Sequence, residues 1–124
     1  VGTQLALIVE DNQDLALLFA MTLETAGFLT EISADGHEAI RRLQAVTPNV
    51  VLLDLHLPGL PGEEVLRYIR NEVRLAHTRV IVVTADARAA GLIEGDADLT
   101  LIKPVSMEQL RELTVRLSAK PSGP

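Results

Sequence analysis

The sequence contains no cysteine, which excludes a disulfide framework and a thiolate metal site and suits a cytoplasmic domain. It has no apolar run long enough to span a bilayer; its longest runs are the length of a strand. No basic, apolar, small-residue signal opens the chain. Positive charge is scarce, with 11 Lys and Arg against 17 Asp and Glu and a formal net charge of −6. That balance argues against direct binding to nucleic acid or to an anionic membrane. Lysine is scarcer still. Lys120 falls in the Pro/Gly/Ser-rich stretch 120–124, which reads as a disordered tail or the start of a linker. Every other cation but one is Arg, and that one is Lys103, between an apolar segment and Pro104. A single Lys in a body that otherwise uses Arg points to a site wanting a compact ammonium on a long stem.

What is present is a chain of 124 residues, 48% hydrophobic, and a single domain is expected over residues 1–119. Leu5 to Val9, Val50 to Leu53 and Val80 to Val83 are continuous apolar runs, the pattern of strands buried on both faces. Phe28 to Ser33 and Leu99 to Ile102 carry polar positions and read as edge strands. Between them lie helical segments. The first is expected to bury Leu15, Leu18, Phe19, Thr22 and Ala26, with its Leu/Met stripe as core, and to end near Gly27. Asp35-x-x-Glu38 and Ser106-x-x-Gln109 have the form of capping boxes opening two further helices. A helix from about Glu63 is expected to bury Val65, Leu66, Ile69 and Val73, and a short one is expected around Arg88 to Ile93. The last buries Leu110, Leu113, Thr114 and Leu117.

Strands alternating with helices specify an α/β fold, a single doubly wound five-stranded parallel sheet with helices on both faces. The three apolar strands belong in the centre and the two polar ones at the edges. The flavodoxin-like order 2-1-3-4-5 satisfies this, with its chain reversal, and hence its crevice, between strands 1 and 3.

This order gathers the conspicuous polar residues on one edge of the sheet. Glu10 and Asp11 follow strand 1, Asp54 follows strand 3, Thr84 closes strand 4 and Lys103 follows strand 5. Three carboxylates at one crevice repel unless a cation or a proton joins them. Hard oxygen ligands without His or Cys favour Mg²⁺. An ammonium and a hydroxyl beside that ion suit a phosphoryl group, and the whole suits an aspartate that accepts one covalently.

On these residues the sequence resembles the receiver domain of two-component response regulators, from Leu5 to about Leu117. Glu10-Asp11 resembles the family's acidic pair. Asp54, Pro58 and Gly62 resemble the phosphoacceptor motif, Thr84-Ala85 the switch Thr with its small neighbour, and Lys103-Pro104 the Lys-Pro pair, whose peptide bond is commonly cis. The family has the same strand order, so resemblance and patterning agree there without being independent.

The resemblance implies that Asp54 takes phosphate from a phosphohistidine of a histidine kinase or phosphotransfer protein. It implies that Asp11, Asp54 and the backbone carbonyl of His56 hold Mg²⁺, with Glu10 acting through a water on the metal. Thr84 and the amide of Ala85 would bind phosphoryl oxygens, and Lys103 would pair with the phosphate. The expected function is a phosphorylation-dependent switch acting on a downstream effector, which catalyses only its own modification.

Two positions depart from the pattern. Thr100 stands where the family usually has Tyr or Phe, so the switch pair would be Thr84 and Thr100 without a ring. The segment from Thr84 to Lys103 is also a few residues short, which trims the fourth helix. The missing ring is the best support for an alternative, a phosphate-independent interaction module. A Mg²⁺-dependent phosphatase is disfavoured because His56 stands where its second acid would be. His37 and His77 read as exposed, Tyr68 as helix packing. Asp86 is either an ordinary loop acid or a neighbour of the site.

Overall fold

The computed structural model describes residues 3–119, so the stretch read as a tail or linker, 120–124, lies outside the described residues. Strands β1 (Leu5–Val9), β2 (Leu29–Ser33), β3 (Val50–Leu53), β4 (Arg79–Thr84) and β5 (Leu99–Ile102) alternate with helices α1 (Gln13–Glu24), α2 (Gly36–Ala45), α3 (Gly62–Asn71), α4 (Ala87–Leu92) and α5 (Met107–Ala119). All strand pairs are parallel and the order is β2-β1-β3-β4-β5. The fold is the expected one.

Alternation along each strand splits the core into two layers. Leu7, Val9, Val51, Leu53, Val80 and Val82 face α2 and α3. Ala6, Ile8, Val50, Leu52, Ile81 and Val83 face α1 and α5. Every residue of β3 is at most 1% exposed, and each fully buried Leu or Val there stabilises the fold by about 1.5–3 kcal/mol. Four successive apolar side chains fit only a strand covered on both sides.

The caps are those the sequence encodes. Asn12 Oδ1 accepts from the Leu15 amide at 3.0 Å, Asp35 Oδ1 from the Glu38 amide at 2.8 Å, and Ser106 Oγ from the Gln109 amide at 3.2 Å. Each satisfies one of the orphan donors of a helix start. Gly27, at φ 95°, turns the chain out of α1 in the left-handed region. Tyr68 packs against the core, and His37 and His77 are exposed, as read.

Packing corrects two details. The buried face of α1 is Ala16, Phe19, Ala20 and Leu23, while Leu17, Leu18 and Met21 are 55%, 44% and 61% exposed. The expected Leu/Met stripe is therefore surface, because small Ala side chains let the helix lie close to the sheet. Val73 is exposed, since α3 ends at Asn71 and a 3₁₀ turn from Val73 to Leu75 buries Leu75 instead. In β2 the apolar Leu29 and Ile32 are exposed and Ser33 is buried, its Oγ without a partner among the described residues.

Candidate functional site

The backbone ladder runs one residue past the strands and thereby aims the polar groups. The Asp54 amide donates to the Val9 carbonyl at 3.0 Å, and the Lys103 amide to the Thr84 carbonyl at 2.8 Å. The Lys103-Pro104 peptide is cis. Gly62 begins α3 directly beneath this edge: a Cβ there would strike the Asp54 carbonyl and the Leu55 backbone. The glycine eight residues after Asp54 is therefore a packing requirement, one that lets a helix start against the end of the strand.

Four of the five expected residues converge through their side chains, and Thr84 is joined to Lys103 through the backbone. Lys103 Nζ donates to Glu10 Oε1 and to Asp54 Oδ2, both at 2.9 Å. The other oxygen of Asp54 accepts from the His56 amide at 3.0 Å, and Glu10 Oε2 from the Asn12 amide at 3.1 Å. Glu10 and Asp54 are buried, 3% and 6% exposed, whereas Asp11 is exposed. Thr84 is fully buried and its Oγ1 accepts from the Asp86 amide at 3.2 Å. Ala85 follows it at the surface, and Thr100 is half-buried on β5, with no aromatic ring between it and Thr84 in the chain.

The electrostatics follow from the burial. Loss of water pushes the Glu10 carboxyl above its usual value; the charge of Asp54 adds to this, and hydrogen bonds from Lys103 and Asn12 only partly oppose it. Burial pulls on the Lys103 ammonium too, but its hydrogen bonds and charge pairing with Asp54 and Glu10 prevail, so it is held above the ordinary lysine value. Lysine is thus a firmly charged partner here rather than a proton donor.

Carboxylate oxygens of Glu10, Asp11 and Asp54 lie within 4.8 Å of one another. Three carboxylates against one ammonium leave two formal negative charges, which a divalent cation balances. The donor set is all oxygen, as Mg²⁺ prefers, and so the residues present fit that ion.

One pairing was not legible in the chain. His56 Nε2 lies 3.0 Å from Asp86 Oδ2, which bridges the loop after β3 to the loop after β4 across the mouth of the site. The other oxygen of Asp86 accepts from the Arg88 and Ala89 amides, both at 3.0 Å, capping α4. The Ala89 amide chiefly, and then His56, hold the Asp86 carboxyl below its usual value, so it is an acceptor and the imidazole N–H donates to it. Sequence reading weighed the two residues separately; nothing in a 30-residue separation shows that they touch.

A family model described as the response regulator receiver domain matches residues 6–115. The response regulator ArlR of Staphylococcus saprophyticus is 36% identical over 108 residues, covering 84% of this chain and 47% of that one. The polar-differentiation response regulator DivK of Brucella ovis is 31% identical over 113 residues, covering 89% of this chain and 92% of DivK. Among solved structures, the response regulator TrrA of Thermotoga maritima, crystallised in complex with Mg²⁺-BeF, superposes with a TM-score of 0.83 at 25% identity, covering 92% of this chain and 98% of that one. The chain spans less than half the length of the first curated relatives it matches, from 19% to 47%.

Proposed function

The chain belongs to the response regulator receiver domain family, and on that premise we propose that it accepts a phosphoryl group from a phosphohistidine onto Asp54. The observation that carries this reading is the placement of Lys103 Nζ at 2.9 Å from both Asp54 and Glu10, with Asp11 within metal-ligand reach of the same carboxylates. A carboxylate oxygen of Asp54 attacks phosphorus as the P–N bond of the donor breaks, and the electron pair returns to the departing imidazole. Water then cleaves the acyl phosphate, releasing phosphate and restoring Asp54.

Each neighbour has a role in that chemistry. Lys103 neutralises charge on the phosphoryl oxygens, and the Thr84 hydroxyl and Ala85 amide donate hydrogen bonds to them. Asp11, Asp54 and the His56 carbonyl would hold Mg²⁺, with Glu10 reaching it through water. Mg²⁺, when bound, supplies the charge that lets a dianionic donor approach the acidic crevice. The phosphoryl group would shift a balance between two conformations, with Thr84 responding and Thr100 in place of the customary ring. The donor would be a histidine kinase or histidine phosphotransfer protein, and the output a downstream effector.

Intact-mass spectrometry after incubation with Mg²⁺ and acetyl phosphate tests the reading. The expected result is one added phosphoryl group in the parent, none in Asp54→Asn, and none when Mg²⁺ is removed. Beryllofluoride binding at Asp54 checks a rapidly hydrolysed adduct. Failure of both, with partner binding unchanged in Asp54→Asn, would favour a phosphate-independent interaction module.

A further inference from the structure

The bridge between His56 and Asp86 closes a loop of contacts that neither residue makes alone. On one side the His56 amide donates to Asp54 Oδ1 at 3.0 Å, and on the other the Asp86 amide donates to Thr84 Oγ1 at 3.2 Å. The two side chains then meet at 3.0 Å. Asp54 is therefore joined to Thr84 through the ring of His56 and the carboxylate of Asp86. The same carboxylate is the cap of α4.

A helix of six residues has little stability of its own. It is tied down by its cap and by few apolar contacts: only Ala90 is buried within it, and Leu92 is 82% exposed. Whatever moves Asp86 therefore moves the start of α4. No aromatic ring stands at position 100 to carry a change from Thr84 toward β5.

We propose that His56 and Asp86 are a positioning pair that links occupancy of Asp54 to the order of α4. The inference rests on the reading of Asp54 as the phosphoacceptor. A phosphoryl group on Asp54 takes over the hydrogen bonds that now go to its carboxylate and draws on the Thr84 hydroxyl. Both anchors of the bridge then shift, and the tension falls on the Asp86 cap.

The test separates the cap from the bridge. Asp86→Ser keeps an oxygen for the Arg88 and Ala89 amides, Ser being a good N-cap, but is too short to reach His56. Asp86→Asn keeps the cap through its Oδ1 and keeps the bridge in the reverse sense, its side-chain NH2 donating to Nε2 of the other neutral His56 tautomer. Amide spectra of the 124-residue chain are recorded with and without Mg²⁺ and beryllofluoride. In the parent and in Asp86→Asn, occupancy is expected to shift the amides of Ala87 to Leu92. In Asp86→Ser those shifts fall at least about twofold, whereas the shifts around Asp54 persist. His56→Ala is expected to give the same loss, and the double variant no more than either single one, because both act through one contact.

Full α4 shifts in Asp86→Ser, or losses in the two variants that add, would overturn the proposal while leaving the phosphoacceptor reading intact. An absence of beryllofluoride binding in the parent would overturn both.

Discussion

At the scale of single residues, the site is a small buried cluster in which charge is balanced by one lysine. Glu10 and Asp54 are 3% and 6% exposed, and Lys103 reaches both. Removing the ammonium leaves two buried carboxylates facing one another, and breaking a buried pair in this way is strongly destabilising. Lys103→Met is expected to cost about 2 kcal/mol near neutral pH in urea denaturation, less than the roughly 3–5 kcal/mol of a fully buried pair because the lysine is partly exposed. The pH dependence follows from the raised lysine value. The folded chain binds that proton more tightly than the unfolded one, so the stabilisation is full below pH 10.5 and is lost as pH rises through the higher folded value. The gap between parent and variant is therefore expected to close as pH rises past the folded lysine value, and a gap that stayed open there would contradict the pairing.

At the scale of elements, two structural findings give opposite expectations for similar side chains. Leu23 is fully buried against the sheet, whereas Leu18 on the same helix is 44% exposed. Leu23→Ala is expected to cost about 3 kcal/mol and Leu18→Ala less than about 1 kcal/mol in chemical denaturation. Equal costs would mean that the helix sits in the register its Leu/Met stripe suggests. Gly62 is the second case. A methyl group there meets the backbone of Asp54 and Leu55, atoms that cannot step aside without moving the Asp54 carboxylate. Gly62→Ala is expected to lose about 2 kcal/mol by overpacking and to slow phosphorylation of Asp54, whereas Gly91→Ala, which meets nothing within 4 Å, is not.

At the scale of the whole molecule, the ends of four of the five strands share one acidic edge, so a ligand bound there is felt by the entire fold. A ligand bound only by the folded state raises its stability by mass action. At ten times its dissociation constant, Mg²⁺ is expected to add about 1.4 kcal/mol, or about 5 °C in melting temperature for a domain of this size. The effect is expected to vanish in Asp54→Asn, and a shift of equal size in that variant would place the ion elsewhere. Among the described residues no helix is long and apolar enough to cross a membrane.

The sequence by itself determined the architecture and the membership of the acidic edge. Continuous apolar runs admit only strands covered on both faces, and polar residues at their ends have nowhere to go but the sheet's rim. Asp35 and Ser106 announce their helices because capping is a local hydrogen bond between near neighbours. The phase of α1 was decided by tertiary structure, since apolar side chains lie almost all around that helix and only contact with the sheet selects Ala16, Phe19, Ala20 and Leu23. Val73 left the core for a related reason: the chain quits α3 before reaching it. The bridge from His56 to Asp86 was likewise invisible in the chain, because it depends on where two loops meet in space. Periodicity and caps are encoded by neighbours in sequence; the choice among apolar faces and the meeting of distant loops is made by packing.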